Sequence, residues 1–156
     1  MSNHSSGLIR KRSQSMSTES IIFDETQMGA IAQKLVDMMP ECQVFAFNGP
    51  LGAGKTTLIR QMLIRCGVQD AISSPTFTYL NVYENDKNQV FYHFDLYRLS
   101  SLDEFVSAGF DEYLYVPNSW VFIEWPAIVM PLLKKNVCYC QLDYNDNKRS
   151  ILIKEE

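Results

Sequence analysis

The chain of 156 residues carries 14 Lys+Arg against 18 Asp+Glu, a formal net charge of −4, with 46% hydrophobic and 12% aromatic residues. That much apolar surface can bury one core of ordinary domain size, which excludes a wholly disordered or fibrous chain. No stretch approaches the roughly 18 to 20 uninterrupted apolar residues of a membrane span, and the polar first residues lack the apolar run of a secretory signal, so the sequence predicts a soluble, cytoplasmic protein.

Residues 1–19 hold six serines and the basic triplet Arg10, Lys11 and Arg12, with Glu19 the only acid. Such a composition cannot bury itself and predicts a disordered N-terminal tail ahead of a domain over 20–156. Its Arg/Ser-rich, acid-poor character also fits a transit peptide or a small phosphate-seeking arm. With the triplet set aside, 11 basic side chains face 18 acidic ones, which argues against a stand-alone RNA binder with a broadly basic surface. From Asp24 to Met39 apolar residues recur at Met28, Ile31, Ala32, Leu35, Val36 and Met39, one face of a helix that Pro40 stops. Cys42 to Phe47 reads as a buried strand entering the turn Asn48-Gly49-Pro50, and Thr56 to Cys66 as a helix stopped by Gly67. Strands are predicted over 76–83, 90–94, 120–124, 137–142 and 150–153, with a short helix over 102–108 ended by Gly109. Strands alternating with helices, without internal repeats, predict an α/β domain of three layers with a central, mostly parallel sheet. Cys42, Cys66, Cys138 and Cys140 are irregularly spaced, and Cys138 and Cys140 stand one residue apart where a zinc knuckle needs at least two, so reduced structural thiols and no zinc are expected.

Gly49-Pro50-Leu51-Gly52-Ala53-Gly54-Lys55-Thr56 fits the phosphate-binding pattern GxxxxGK(S/T) without a mismatch, and a strand precedes it while a helix follows. In that context the loop's N–H groups and the positive end of the helix dipole converge on a phosphate. Lys55 can neutralise β and γ phosphates and the Thr56 hydroxyl can ligate Mg²⁺. The reaction class must come from further carboxylates. Val121-Phe122-Ile123-Glu124 delivers Glu124 at the C-terminal end of an apolar strand, the expected place for a magnesium-side acid. Asp95 ends a similar run, and alternation puts His93 on its face; either could hold a metal-bound water, although a histidine there is more often simply packed. Arg98 can pair with Asp95 or reach phosphate oxygens, two readings of equal standing. Ser74 to Thr78 reads by spacing as a turn leading into a strand, although hydroxyls in such a loop can sense a nucleotide.

These segments together resemble the blocks of the TsaE family, P-loop ATPases of bacterial tRNA threonylcarbamoyladenosine modification. The blocks are residues 49–57 (GPLGAGKTT), 74–78 (SPTFT), 93–99 (HFDLYRL), 109–114 (GFDEYL) and 123–126 (IEWP), so the likeness runs over about residues 20–154. The resemblance implies a P-loop NTPase domain that binds ATP and Mg²⁺ and works with TsaB and TsaD, meeting tRNA only through that complex. It also implies that hydrolysis resets the complex while the partners transfer the threonylcarbamoyl group. By position, Gly52, Ala53, Gly54, Lys55, Thr56 and Thr57 would hold phosphates, Thr56 and Glu124 would ligate Mg²⁺, and Asp95 would support the metal or the hydrolytic water. Lys55, Asp95 and Glu124 are thus the expected catalytic residues. Ser74 to Thr78 would sense the nucleotide, Trp125 would lie near it or near a partner, and Thr26 would lie near the base. Pro50 departs from the acidic residue many members carry, and Lys148-Arg149 replaces a common Gly-Arg.

Two other function classes remain open on the residues. A P-loop kinase usually adds an arginine-bearing lid, and after residue 67 only Arg98 and Arg149 are available. A nucleotide-dependent interaction module would use the aromatics around Phe110 to Tyr115 as a docking patch.

Overall fold

Alternation along three strands decides which side chains enter which layer. In the computed structural model, which describes residues 16–156, β2 (Val44–Asn48), β4 (Val90–Asp95) and β5 (Ser119–Glu124) lie side by side at the centre of one sheet. Phe45, Phe47, Phe91 and Phe122 project to one face and Val44, Ala46, Phe94, Val121 and Ile123 to the other. The first face is covered by α1 (Met28–Asp37) and α2 (Lys55–Arg65), which bury Met28, Ile31, Ala32 and Leu35, and Leu58, Ile59, Met62 and Leu63. The second is covered by α3 (Leu102–Ser107) and by two 3-10 segments, Phe110–Tyr113 and Pro126–Leu132. Burying each such aliphatic or aromatic side chain is worth about 1.5–3 kcal/mol. Ring pairs such as Phe45–Phe122 at 5.6 Å and Phe94–Phe105 at 5.5 Å add specific geometry to that burial.

The α/β class is as expected, and the sheet is mixed. With β1 (Thr18–Phe23), β3 (Leu80–Glu84), β6 (Val137–Asn145) and β7 (Lys148–Glu155), the order is β1-β7-β6-β2-β5-β4-β3. The four central strands β6, β2, β5 and β4 are parallel, whereas β1–β7, β6–β7 and β3–β4 are antiparallel. "Mostly parallel" therefore holds for the core of the sheet and not for its wings. Tight turns explain the β3–β4 and β6–β7 pairs, because a hairpin connection can join only antiparallel strands, whereas β1 pairs with β7 from the far end of the chain. Asp146, at φ 51°, sits between β6 and β7, and Asn88, at φ 57°, sits between β3 and β4.

Three boundaries also differ from expectation. β1 begins at Thr18, inside the segment read as tail, and pairs Thr18 with Lys154 and Glu19 with Ile153. Backbone pairing at a sheet edge needs little apolar side chain, so this Ser/Thr/Glu-rich stretch hid a strand. Of the rest of the expected tail, Met16 and Ser17 lead into β1 without regular structure, and residues 1–15 lie outside the described residues. The predicted strand over 76–83 starts only at Leu80, because the Tyr79 N–H closes a turn onto the Pro75 carbonyl at 2.9 Å and Tyr79 takes φ 64°. The first helix is preceded by a 3-10 turn, Glu25–Gln27, whose capping box joins Asp24 and Gln27.

All four cysteines are free thiols. Cys42 and Cys138 are held above the ordinary thiol range by sulfur hydrogen bonding and burial, and burial pushes Cys66 up to about 11. Such thiols are unreactive packing groups. No helix among the described residues is long and apolar enough to cross a membrane.

Candidate functional site

The loop between β2 and α2 is built from glycines for a steric reason. Gly49 leaves the sheet at φ 146°, and a Cβ there would stand 2.4 Å from the Leu142 carbonyl oxygen of β6. Gly54, at φ 105°, then turns the chain into α2, whose first N–H groups have no partner within the helix. Gly52, Gly54, Lys55, Thr56 and Thr57 line a cavity of about 370 Å³ that Ser74, Asp95, Arg98, Glu124 and Trp125 complete. Ala53 is different. Its methyl group is buried in the core and its N–H bonds the Pro50 carbonyl at 3.2 Å, so it shapes the loop from within.

Lys55 is 5% exposed, and its ammonium donates to the Gly49 carbonyl at 2.6 Å and the Pro50 carbonyl at 3.0 Å. Its charge also lies 4.0 Å from the ring centroid of Trp125. Burial lowers its pKa below the ordinary lysine value, while the Glu124 and Asp95 carboxylates oppose that shift. Trp125 reaches this position through a left-handed backbone, φ 59°, held by its N–H on the Phe47 carbonyl at 3.1 Å. Strain of that kind collects at functional sites.

Parallel pairing of β4 with β5 sets Asp95 beside Glu124 in register. Glu124 is 3% exposed and engaged at both oxygens: Thr56 donates to Oε1 at 2.6 Å, and His93 Nε2 lies 2.7 Å from Oε2. A carboxylate only accepts, so Nε2 carries the histidine proton. Nδ1 of the fully buried His93 has no hydrogen-bond partner among the described residues. Asp95 accepts from the Ser74 hydroxyl at 3.2 Å and from the Tyr97 N–H at 3.1 Å. Arg98 lies over the exposed Phe77 ring, 4.8 Å from its centroid, and among the described residues forms no ion pair with Asp95.

A second cavity, of about 650 Å³, adjoins the first and shares Gly52, Gly54 and Thr57 with it. Thr26 and Arg149 also line it, with Glu25, Met28 and Gln61. All the expected site residues thus gather around one loop, although Thr26 sits on the side of Thr57 and Asp95 on the side of Glu124. Two contacts to the loop had no local signal in the sequence: Tyr144 Oη donates to the Leu51 carbonyl at 2.6 Å, and Arg149 donates to the Gly52 carbonyl at 2.5 Å. Only the β6–β7 hairpin, which folds these residues back across more than ninety positions, could have disclosed them.

The chain is 36% identical over 131 residues, 83% of its length and 75% of the relative's, to the tRNA threonylcarbamoyladenosine biosynthesis protein TsaE of Rickettsia felis. The like-named protein of Haemophilus influenzae is 37% identical over 77% of this chain and 75% of its own. That of Rickettsia bellii is 31% identical over 92% of this chain and 99% of its own. The crystal structure of Bacillus subtilus YdiB superposes with a TM-score of 0.65 at 21% identity, covering 92% of this chain and 88% of that one, a likeness of fold. The family model for threonylcarbamoyl adenosine biosynthesis protein TsaE matches residues 22–151, the span from β1 to β7 that contains both cavities, and the chain belongs to the TsaE family.

Proposed function

We propose that this chain is a Mg²⁺-dependent P-loop ATPase that serves threonylcarbamoyl modification of the adenosine beside the tRNA anticodon, in the cytoplasm. TsaB and TsaD would be its partners, with tRNA met through them, and its ATP hydrolysis would reset that complex between turnovers while the partners transfer the group. The observation that carries the reading is the meeting of Thr56 and Glu124, 2.6 Å apart, at the N-terminus of α2 and beside the buried Lys55.

The residues present fit both ligands. Lys55 is held on carbonyls that phosphate oxygens would replace, and the Thr56 hydroxyl and the Glu124 carboxylate are hard oxygen donors suited to Mg²⁺. When bound, Mg²⁺ would neutralise charge building on the β and γ phosphates, with Thr56 and Glu124 as the side chains that hold it. The rest falls to the chain itself. The N–H groups of Gly52 and of residues 54–57 cradle the phosphates, while that of Ala53 closes the loop on the Pro50 carbonyl, and Lys55 counters the phosphate charge as the terminal phosphoryl group separates. Asp95, freed of Ser74, accepts a hydrogen bond from the attacking water and orients it. Trp125 screens Lys55 from solvent, which strengthens its pull on an anion. Thr26 and the second cavity would take the nucleoside.

A kinase reading is less well supported, because the two arginines after residue 67 are both engaged, Arg98 stacked on Phe77 and Arg149 tied to the loop, so that none among those described residues is left for a lid. The test is phosphate release from ATP by the purified protein, alone and with the TsaB–TsaD pair, with Glu124→Ala as the blank. Weak release that rises sharply with the pair is the expected result; equal release with and without it would remove the partner-driven role.

A further inference from the structure

Polar contacts made by the tip of the β6–β7 hairpin go to one small target. Tyr144 Oη donates to the Leu51 carbonyl at 2.6 Å, and Arg149 Nη1 to the Gly52 carbonyl at 2.5 Å. The Arg149 guanidinium also lies 4.8 Å from the centroid of the Tyr144 ring, so each side chain steadies the other. Register explains why they meet: Tyr144 and Arg149 are directly opposed across the hairpin, next to its closing turn.

Gly52 is shaped to receive this contact. It takes φ +74°, and a Cβ there would stand 2.8 Å from the Tyr144 hydroxyl, so the loop and the tyrosine are packed as closely as the missing side chain allows. A peptide group has its carbonyl on one side and the next residue's N–H on the other. Tying the Leu51 carbonyl to the hairpin therefore fixes the direction of the Gly52 N–H, and tying the Gly52 carbonyl holds the peptide whose N–H, on Ala53, closes the loop onto the Pro50 carbonyl at 3.2 Å, and with it the course of the chain into Gly54. Arg149 in addition brings a permanent positive charge to the wall of the cavity shared by Thr26, Thr57 and Gln61.

We propose that Tyr144 and Arg149 are positioning residues that hold the phosphate-binding loop in its anion-receiving form from outside, so that nucleotide affinity depends on a hairpin remote in sequence from the loop. This rests on the nucleotide-binding reading above. Donors fixed before the ligand arrives avoid the ordering cost that a free loop would impose on binding, so loss of the brace falls on affinity. Bound phosphates then hold the loop themselves, and the rate at saturating ATP is spared.

The test uses the full-length protein and compares wild type with Tyr144→Phe, Arg149→Met, the double variant and Arg149→Lys. Calorimetric dissociation constants for ATP and inorganic triphosphate are measured with Mg²⁺, with thermal melting as the fold control. Hydrogen exchange at residues 51–55 supplies a second readout. Each single variant should weaken ATP binding by about three- to tenfold, the size of one lost hydrogen bond. The double variant should lose less than the product of the two, and Arg149→Lys should recover part of the loss. Loop exchange should speed up with melting unchanged, and kcat at saturating ATP should stay within about twofold while KM rises. Unchanged affinity and exchange in folded variants would overturn the brace. Failure of the wild-type protein to bind ATP at all would instead overturn the nucleotide reading, so the two failures are distinct. Equal losses for ATP and triphosphate would place the effect on the phosphates, as proposed; loss for ATP alone would make Arg149 a contact to the nucleoside and contradict the positioning role.

Discussion

The two faces of the sheet are packed from the same kinds of residue until the C-terminal ends of β4 and β5, where they part. Beneath α3 the cluster is wholly apolar, with Phe94, Phe105, Val121 and Ile123 fully buried. Beneath α2 an equally apolar cluster runs into Lys55, His93, Asp95 and Glu124, which are all the buried Lys, Arg, His, Asp and Glu side chains among the described residues. Burying such groups opposes folding unless each has a partner. Their confinement to one end of one face shows where stability has been traded against the ability to receive something from outside. One face holds the molecule together; the other holds it together and leaves an end open.

That contrast breaks first if the apolar face also matters to the site. Phe105 packs at 5.5 Å from Phe94 and 5.6 Å from Phe110. Phe105→Ala should cost about 3–5 kcal/mol of stability by chemical denaturation. The ATP affinity of the folded protein should stay within about twofold, and a matching loss of affinity would erase the distinction between the faces. Next in size, Glu124→Gln keeps the side-chain volume and removes the charge. Mg²⁺-dependent phosphate release should fall by about 10²- to 10³-fold, with the fold intact by circular dichroism; near-normal turnover would take Glu124 out of the site.

A smaller effect sharpens the role of His93, which touches Glu124 and no solvent. His93→Phe should lower turnover by about tenfold through a loosened Glu124 while ATP affinity changes less than about threefold, and His93→Gln should restore part of the rate. An unaltered rate in the phenylalanine variant would make His93 a packing residue only. Smallest is a pH effect. Burial holds free Lys55 below its ordinary value, and a bound phosphate would raise it again. Binding then takes up a proton on the alkaline side, so affinity is full below the free-state pKa and falls as pH rises through it, by no more than about tenfold per pH unit. Affinity that is flat or rising there, measured by calorimetry in two buffers, would speak against the lysine's role.

How much of this was legible in the sequence depended on the range of the interaction. The loop at residues 49–57 could be read directly, because glycine positions, lysine and threonine act through the chain immediately around them. Alternation correctly put His93 and Asp95 on one face and placed Glu124 at a strand end, since a period of two is a local property. It could not show that His93 would reach Glu124, which needs β4 and β5 to be neighbours. β1 escaped because its pairing with β7 is a backbone interaction with weak side-chain pattern; the turn over 74–78 was legible from its spacing, but where it gives way to the strand was not, because Thr76, Phe77, Thr78 and Tyr79 all favour strands by type. Tyr144 and Arg149 were out of reach for the same reason as His93, with a hairpin in place of a parallel pair. The mixed sheet belongs here too, for only the turn chemistry at Asp146 and Asn88 betrays the antiparallel β6–β7 and β3–β4 pairs, and nothing local betrays the β1–β7 pair.

The most direct measurement is calorimetric titration of ATP with Mg²⁺ into wild-type protein and Lys55→Ala side by side. Wild type should bind one ATP per chain and the variant should bind at least about a hundredfold more weakly, the loss of a buried charge-assisted contact, with unchanged melting. Equal affinity in the two proteins would contradict the claim that the open end of this face receives a nucleotide's phosphates.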